Sequence, residues 1–340
     1  MRFRLALSTL VFAVLLTSTP NGVGSLNGSI DYSNPRIVPF LTSKSTTQTQ
    51  GSGFLYSSRI VLTAGHLAHS FDQAGNILPL VRENYVGLPN TKVTESSRRV
   101  KVIEKFVAKS YRSTSTGALD DFAVFVLEED LIDANPVELM NPEIEKNLVS
   151  SNVPVFLHGY GNFEDKCKEG QQTPCTGIYN SSTEPRMILA TLHTMDEFQT
   201  LVGYSIPQLK NELLFFTPGK QSMCSGDSGG SLTTKINGKL IYIANIGTAQ
   251  GIYACGQGKY DGKGGINYSA PVYRHLELIR EAEAFVESQK KKEVSFQTAK
   301  PISKESTNIA KTKTITCFKG KVTKKVSSSN PKCPAGYKKR

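Results

Sequence analysis

Serine, histidine and aspartate stand in three segments where each could take part in covalent catalysis. In CSGDSGGSL, residues 224–232, Ser228 is flanked by glycines, which permit tight turns and close backbone approach. Two successive N–H groups at such a turn can point at one oxygen. In VLTAGHLAHS, residues 61–70, His66 follows an apolar run and two small residues. A neutral imidazole near pH 7 can take the proton of a serine hydroxyl. In LDDFAVFVLEE an acidic residue immediately precedes a six-residue apolar run. A carboxylate buried at such a strand entry needs a partner, and an imidazole N–H serves. Each segment also has an ordinary alternative: Ser and Gly are common in loops, a lone His is usually structural, and either Asp can cap a turn. His69 fits that structural role, and Asp120 fits the capping role better than Asp121.

The elements that must position these residues read as strands. GFLYSSRIVLTAGHL, FAVFVLEE, VPVFLHGYG and KLIYIANIG are rich in β-branched and aromatic residues and bounded by Gly, Pro, Ser or Asn. There is no alternation of strand and helix and no long repeat, so a β-barrel or sandwich is expected. Near the end, Leu276, Ile279, Ala282 and Phe285 recur at helical spacing, predicting a helix over 272–286.

Charge divides the chain. The net +11 over 340 residues is concentrated in residues 286–340, which hold 15 Lys+Arg against 3 Asp+Glu, whereas residues 25–285 carry −3. The stretch after the helix is polar and poor in large apolar residues and reads as a linker. The end reads as a basic loop closed by Cys317-Cys333. Such a tail can hold the protein to an anionic polymer or simply stay solvated. It lacks interleaved aromatics, which argues against specific nucleic-acid reading. At the other end, Arg2 and Arg4 precede an apolar run from Leu5 to Leu16. Residues 1–24 therefore read as a secretory signal, with an uncleaved N-terminal anchor as the alternative. The expected domains are 1–24, 25–285 and 286–340, and the expected location is extracellular, in solution or at the cell surface.

Six cysteines in an exported chain imply disulfides, with fifteen pairings open. Neighbours in sequence suggest Cys167-Cys175 and Cys317-Cys333, leaving Cys224-Cys255. No C-x-x-C pair accompanies them, so no metal site is expected.

Together TAGH, DFAV and GDSGG, in that order and separated by 55 and 107 residues, resemble the trypsin/chymotrypsin family of serine proteases over residues 25–285. The resemblance implies two antiparallel six-stranded β-barrels with the active site between them and a C-terminal helix; the basic tail after it, read from its composition, is expected to be flexible. It implies Ser228 as nucleophile, His66 as general base and then acid, and Asp121 as the residue that orients the imidazole. The N–H groups of Gly226 and Ser228 would form the oxyanion hole. Ser222, Gly247 and Gly265 would line the specificity pocket, with Cys224-Cys255 bracing it. GYG at 159–161 resembles the family's G-W-G turn, and IANIG at 243–247 the strand that pairs with substrate backbone. Protein or peptide substrates, no cofactor, no metal and a monomer are implied. The rival is a catalytically inactive binding or surface-attachment protein on the same fold.

The chain also departs from the family. Leu67 stands where the family has a cysteine after the catalytic histidine, and Ser52 of GSGF is matched to that cysteine's partner. Arg36-Ile37-Val38 mimics the family's activation cut, but Pro39 follows, and too few residues separate Ile37 from His66. Val38 is instead expected in the first barrel strand. SLNGS at 25–29 then supplies the new N-terminus, whose amine would pair with Asp227 without a separate zymogen.

Overall fold

The structure, a computed structural model, describes residues 28–71, 77–79, 83–114, 117–161, 182–203, 207–217, 221–249, 266–299, 313–328 and 330–339. The chain divides between Glu287 and Ser288 into two compact units.

The first unit opens with a six-stranded closed barrel. Its strands are β1 (Ile37–Leu41), β2 (Thr49–Ser57), β3 (Ile60–Thr63), β4 (Tyr85–Gly87), β5 (Arg99–Val107) and β6 (Ala123–Leu127). They run in the order β6-β3-β2-β1-β4-β5, and β5 returns to β6 to close the ring. Apolar side chains fill the ring because β1, β3 and β6 are buried along their whole length. Each large side chain buried there contributes roughly 2–3 kcal/mol. Val38 lies in β1, as expected from the sequence, and Ile37 pairs with Phe54. The Arg36 carbonyl accepts the Leu55 N–H at 2.8 Å. The Arg36–Ile37 bond is therefore part of a buried ladder.

The second sheet comprises β7 (Glu138–Leu139), β8 (Val155–Gly159), β9 (Arg186–His193), β10 (Leu213–Phe216), β11 (Ser231–Ile236), β12 (Lys239–Asn245), β13 (Thr248–Ala249) and β14 (Ile266–Ser269). They run β7-β12-β11-β8-β9-β10-β14-β13, and the short strand Ser29–Ile30 adds to β9. Among the described residues this sheet is an open half-barrel, and the expected second ring is not closed. Among the described residues, β12 approaches the far end of the sheet through one bridge, Ala244 to Pro271. Proline has no N–H with which to extend that bridge into a ladder.

Two helices lie among these strands. In α1 (Pro142–Ser151) the Asn141 side chain accepts the Ile144 N–H at the N-terminus. In α2 (Met195–Val202) Thr194 and Glu197 form a reciprocal capping box. After a 3-10 turn at Val272–His275, α3 runs from Leu276 to Ala299. The helix expected over 272–286 is thus longer by thirteen residues, through the stretch read as a linker. Lys and Glu there are good helix formers, so helix propagates from a buried first half although little apolar surface follows.

The end of the tail, read as a basic loop, is more regular than that: among its described residues it forms a three-stranded antiparallel sheet, β15 (Lys313–Lys319), β16 (Val322–Ser328) and β17 (Lys338–Lys339). β15 is central. Gly320, with φ of 60°, makes the tight turn between β15 and β16. Cys317–Cys333 is a disulfide, as expected, and Cys317 is fully buried. Cross-linking a loop of this size stabilises by about 3 kcal/mol, which a small sheet needs.

Candidate active site

His66 sits in a single 3-10 turn, Gly65–Leu67, that follows β3 directly. Asp121 sits just before β6, so the two meet at one end of the closed barrel. The His66 Nδ1 donates to Asp121 Oδ2 at 2.6 Å, and the His66 backbone N–H donates to Oδ1 at 2.8 Å. Both carboxylate oxygens thus hold the same residue. Asp121 is buried while the His66 side chain is 34% exposed. That bond fixes the tautomer with the proton on Nδ1 and leaves Nε2 as a base. The Asp121 carbonyl accepts from Asn245 Nδ2 at 2.7 Å.

Ser228 lies on the turn between Cys224 and β11. Its carbonyl accepts the Ser52 N–H at 2.8 Å, which ties the turn to β2. Gly229 takes φ of 78° and packs against Ser52 and Thr63, leaving no room for a Cβ. Thr63 is three residues before His66, so this contact sets the serine turn beside the histidine turn. The N–H groups of Gly229 and Gly230 are taken by Ile246 and Asp227. Neither the Gly226 nor the Ser228 N–H has an acceptor among the described residues. Gly226 has φ of 94°, a conformation that favours glycine, and its carbonyl accepts from Ser52 Oγ at 2.8 Å.

Asp227 is fully buried. Its Oδ1 accepts the Gly161 N–H at 2.8 Å and its Oδ2 the Cys224 N–H at 2.9 Å. Gly159 and Gly161 lie against the carboxylate so closely that a side chain at either would collide with it. Tyr160 between them is fully buried, and its N–H donates to Ser52 Oγ at 2.8 Å. Ser52 therefore links the GYG turn and the Gly226 turn, a role the sequence did not suggest. It also corrects the matching of the lost disulfide: Gly51, not Ser52, faces Leu67, and a Cβ there would lie 2.7 Å from Leu67 Cδ1. Leu67 fills the space from one side because Gly51 leaves it empty on the other.

Ser222 is buried, with Oγ donating to the Met223 carbonyl at 3.1 Å. Gly247 donates to Ser269 Oγ at 3.2 Å. Gly265 lies outside the described residues. So do Cys167, Cys175, Cys255, Ser25 and Leu26. Cys224 is disulfide-bonded. Among the described residues no cluster of three or more His, Cys, Asp or Glu is placed to hold a metal, and no helix is long and apolar enough to cross a membrane.

Asp120, the neighbour of Asp121, is a turn residue with φ of 49° and is itself buried. Its Oδ1 lies 2.9 Å from Arg274 Nη1 and its Oδ2 3.5 Å from Arg112 Nη1. His275 stacks on Phe122 at 4.6 Å between ring centroids. Burial first, and the Arg274 charge after it, lower the His275 pKa to about 4 against the opposing pull of Asp120.

This arrangement, a barrel-borne His–Asp pair beside a glycine-wrapped serine turn, is that of a serine-protease fold. The family model described as Trypsin matches residues 29–279, and the chain belongs to that family. No curated protein matches the chain.

Proposed function

We propose that the protein is a secreted serine endopeptidase that hydrolyses peptide bonds through an acyl-enzyme. The observation that carries this is the double hydrogen bond of Asp121 to His66 beside the braced Ser228 turn. Ser228 Oγ attacks the scissile carbonyl carbon and gives its proton to His66 Nε2. Asp121 holds the imidazole and stabilises its charged form. The negative oxygen of the tetrahedral intermediate takes the N–H groups of Gly226 and Ser228. One such donor contributes about 3–4 kcal/mol. Collapse breaks the C–N bond, and the proton on Nε2 goes to the leaving amine. Water then repeats the sequence on the ester.

A fluorophosphonate probe should label the wild-type chain and not Ser228→Ala. Absence of labelling in both sinks the enzymatic reading in favour of an inactive binding protein on this fold.

Ser222 at the pocket base gives a neutral floor, and Gly247, with no side chain, leaves room above it. The preferred residues are then Phe, Tyr, Leu and Met, because an unpaired Arg would be costly to bury. A peptide library showing strong Arg or Lys preference overturns that assignment. The activating amine comes from the segment near Ser25 or Leu26, released by signal cleavage, and pairs with Asp227. An active enzyme whose N-terminus reads Ile37 contradicts this route.

The tail is an electrostatic anchor for an anionic cell-surface polymer. Lys324 and Lys339 both lie opposite Cys317, and directly paired residues share a face. Lys313 and Lys319 fall on that same face by the two-residue period. All four are exposed. Changing Lys319, Lys324 and Lys339 to Gln should abolish salt-dependent retention of the full chain on heparin. Unchanged retention refutes the anchor.

A further inference from the structure

The peptide just ahead of Asp121 is held by a carboxylate that the catalytic scheme does not use. Glu212, just before β10, accepts the Asp120 N–H on Oε1 at 3.0 Å. Its own N–H donates to the Leu209 carbonyl at 2.8 Å, which fixes its backbone. Arg274 Nη1 donates to the carbonyl of Asn211 at 2.9 Å and lies 2.9 Å from Asp120 Oδ1. One guanidinium thus ties the Glu212 strand to Asp120. Asp120 keeps its left-handed backbone while the Phe122 N–H closes on its carbonyl at 2.8 Å. The dipeptide Asp120-Asp121 is consequently clamped at the Asp120 N–H by Glu212, at the Asp120 side chain by Arg274, and at the Asp121 carbonyl by Asn245.

Resting on the proposed triad, we propose that Glu212 is a positioning residue for Asp121: it fixes the backbone that carries the carboxylate, and its negative charge strengthens His66 as a base. Charged groups act on it from each packed element. Asp120 and Asp121 lie on the strand entry and Arg274 on the final turn, while Glu145, Lys146, His193, Lys210 and Tyr273 line one cavity with it. Burial is the largest influence and raises the Glu212 pKa to about 7, with the charges of Asp120 and Asp121 adding to the rise. The Asp120 N–H and Arg274 oppose it. Glu212 therefore changes charge across the neutral range.

The test uses the full chain carrying Glu212→Gln or Glu212→Ala. Gln keeps an acceptor for the Asp120 N–H but removes the charge. The His66 pKa, followed by NMR titration, should fall in Glu212→Gln by about half a unit, the scale of a nearby screened charge. The kcat of Glu212→Gln should drop about threefold above pH 7, with KM unchanged, and match wild type near pH 6, where the native carboxyl is protonated. Glu212→Ala should lose about tenfold in kcat, the cost of leaving a buried N–H without its acceptor. A role in stability alone would lower Tm in both variants and leave the His66 titration and the shape of the pH profile unmoved; that result overturns the proposal. If Glu212→Ala does not fold, Glu212→Gln decides alone. The His66 titration needs no turnover. A chain unlabelled by fluorophosphonate therefore refutes the protease reading without deciding the role of Glu212.

Discussion

The two halves of the trypsin-like unit position their candidate site residues by different physical means. The first barrel is a closed hydrogen-bonded ring, and it holds the His66–Asp121 pair at one end by burying the carboxylate and giving it two donors. Among the described residues the second sheet is joined across its ends by a single bridge, and it holds Ser228 on a glycine turn wrapped around the buried Asp227. In the first half a ladder sets the geometry, and in the second half the absence of Cβ atoms does. The difference locates the vulnerable joint. Ser52 on β2 bonds the Ser228 carbonyl, the Gly226 carbonyl and the Tyr160 N–H, so one small side chain and its backbone tie the ring to the turn.

Breaking the first half at its centre should have the largest effect. Asp121→Asn should cost roughly 10⁴-fold in kcat, by favouring the wrong imidazole tautomer. Asp120→Asn should cost far less, because Asp120 pairs with arginines and does not touch His66. Steady-state rates of the two variants decide this, and the reverse order would assign the catalytic carboxylate to Asp120. Cutting the joint comes next. Ser52→Ala should lower kcat about tenfold and also lower Tm, since it leaves a buried N–H and a buried carbonyl without their partner. An unchanged kcat would mean that the Gly226 turn is held by the second sheet alone.

The smallest effect concerns the entry of the chain. The Asp31 carboxylate accepts from buried His158 Nε2 at 2.7 Å, and that bond, ahead of those from Ser33, lowers its pKa to about 2 against the cost of burial. A depressed carboxyl stabilises the fold above the unfolded value near 4, and the contribution disappears as pH falls through 2. At neutral pH it amounts to about 2 kcal/mol. Asp31→Asn should lower Tm at pH 7 and match wild type near pH 2. A Tm difference that persists at pH 2 would assign the effect to packing.

Much of the candidate site was legible because short motifs carry the family resemblance. TAGH, DFAV and GDSGG each keep the proposed triad residue and its local turn within a few positions, and the structure pairs His66 with Asp121, the residue next to the apolar run, and not with Asp120. What sequence could not show are contacts between residues far apart in the chain. Ser52 meets Gly226 across 174 positions, Asn245 meets Asp121 across 124, and Glu212 meets Asp120 across 92. Nothing near any of these residues marks the partner. The sequence also misled at the end of the chain. Lys-rich QKKKEVSFQTA lacks an apolar stripe, yet it continues a helix already begun. The tail strands hide because lysines occupy sites where alternation would otherwise show, leaving Ile315, Cys317 and the turn at Gly320 as the readable signs.

The replacement of a bridge by Leu67 packed over Gly51 reaches beyond packing. All six cysteines lie after residue 161, so the ring bearing His66 and Asp121 contains no thiol. Its assembly needs no oxidant and its integrity no redox maintenance. A thiol reductant would reach only the serine-bearing half and the tail, where Cys224 and Cys317–Cys333 are bonded. The His66–Asp121 pair thus sits in the half that no cross-link holds, and loss of the cross-links would fall first on the second half and the tail.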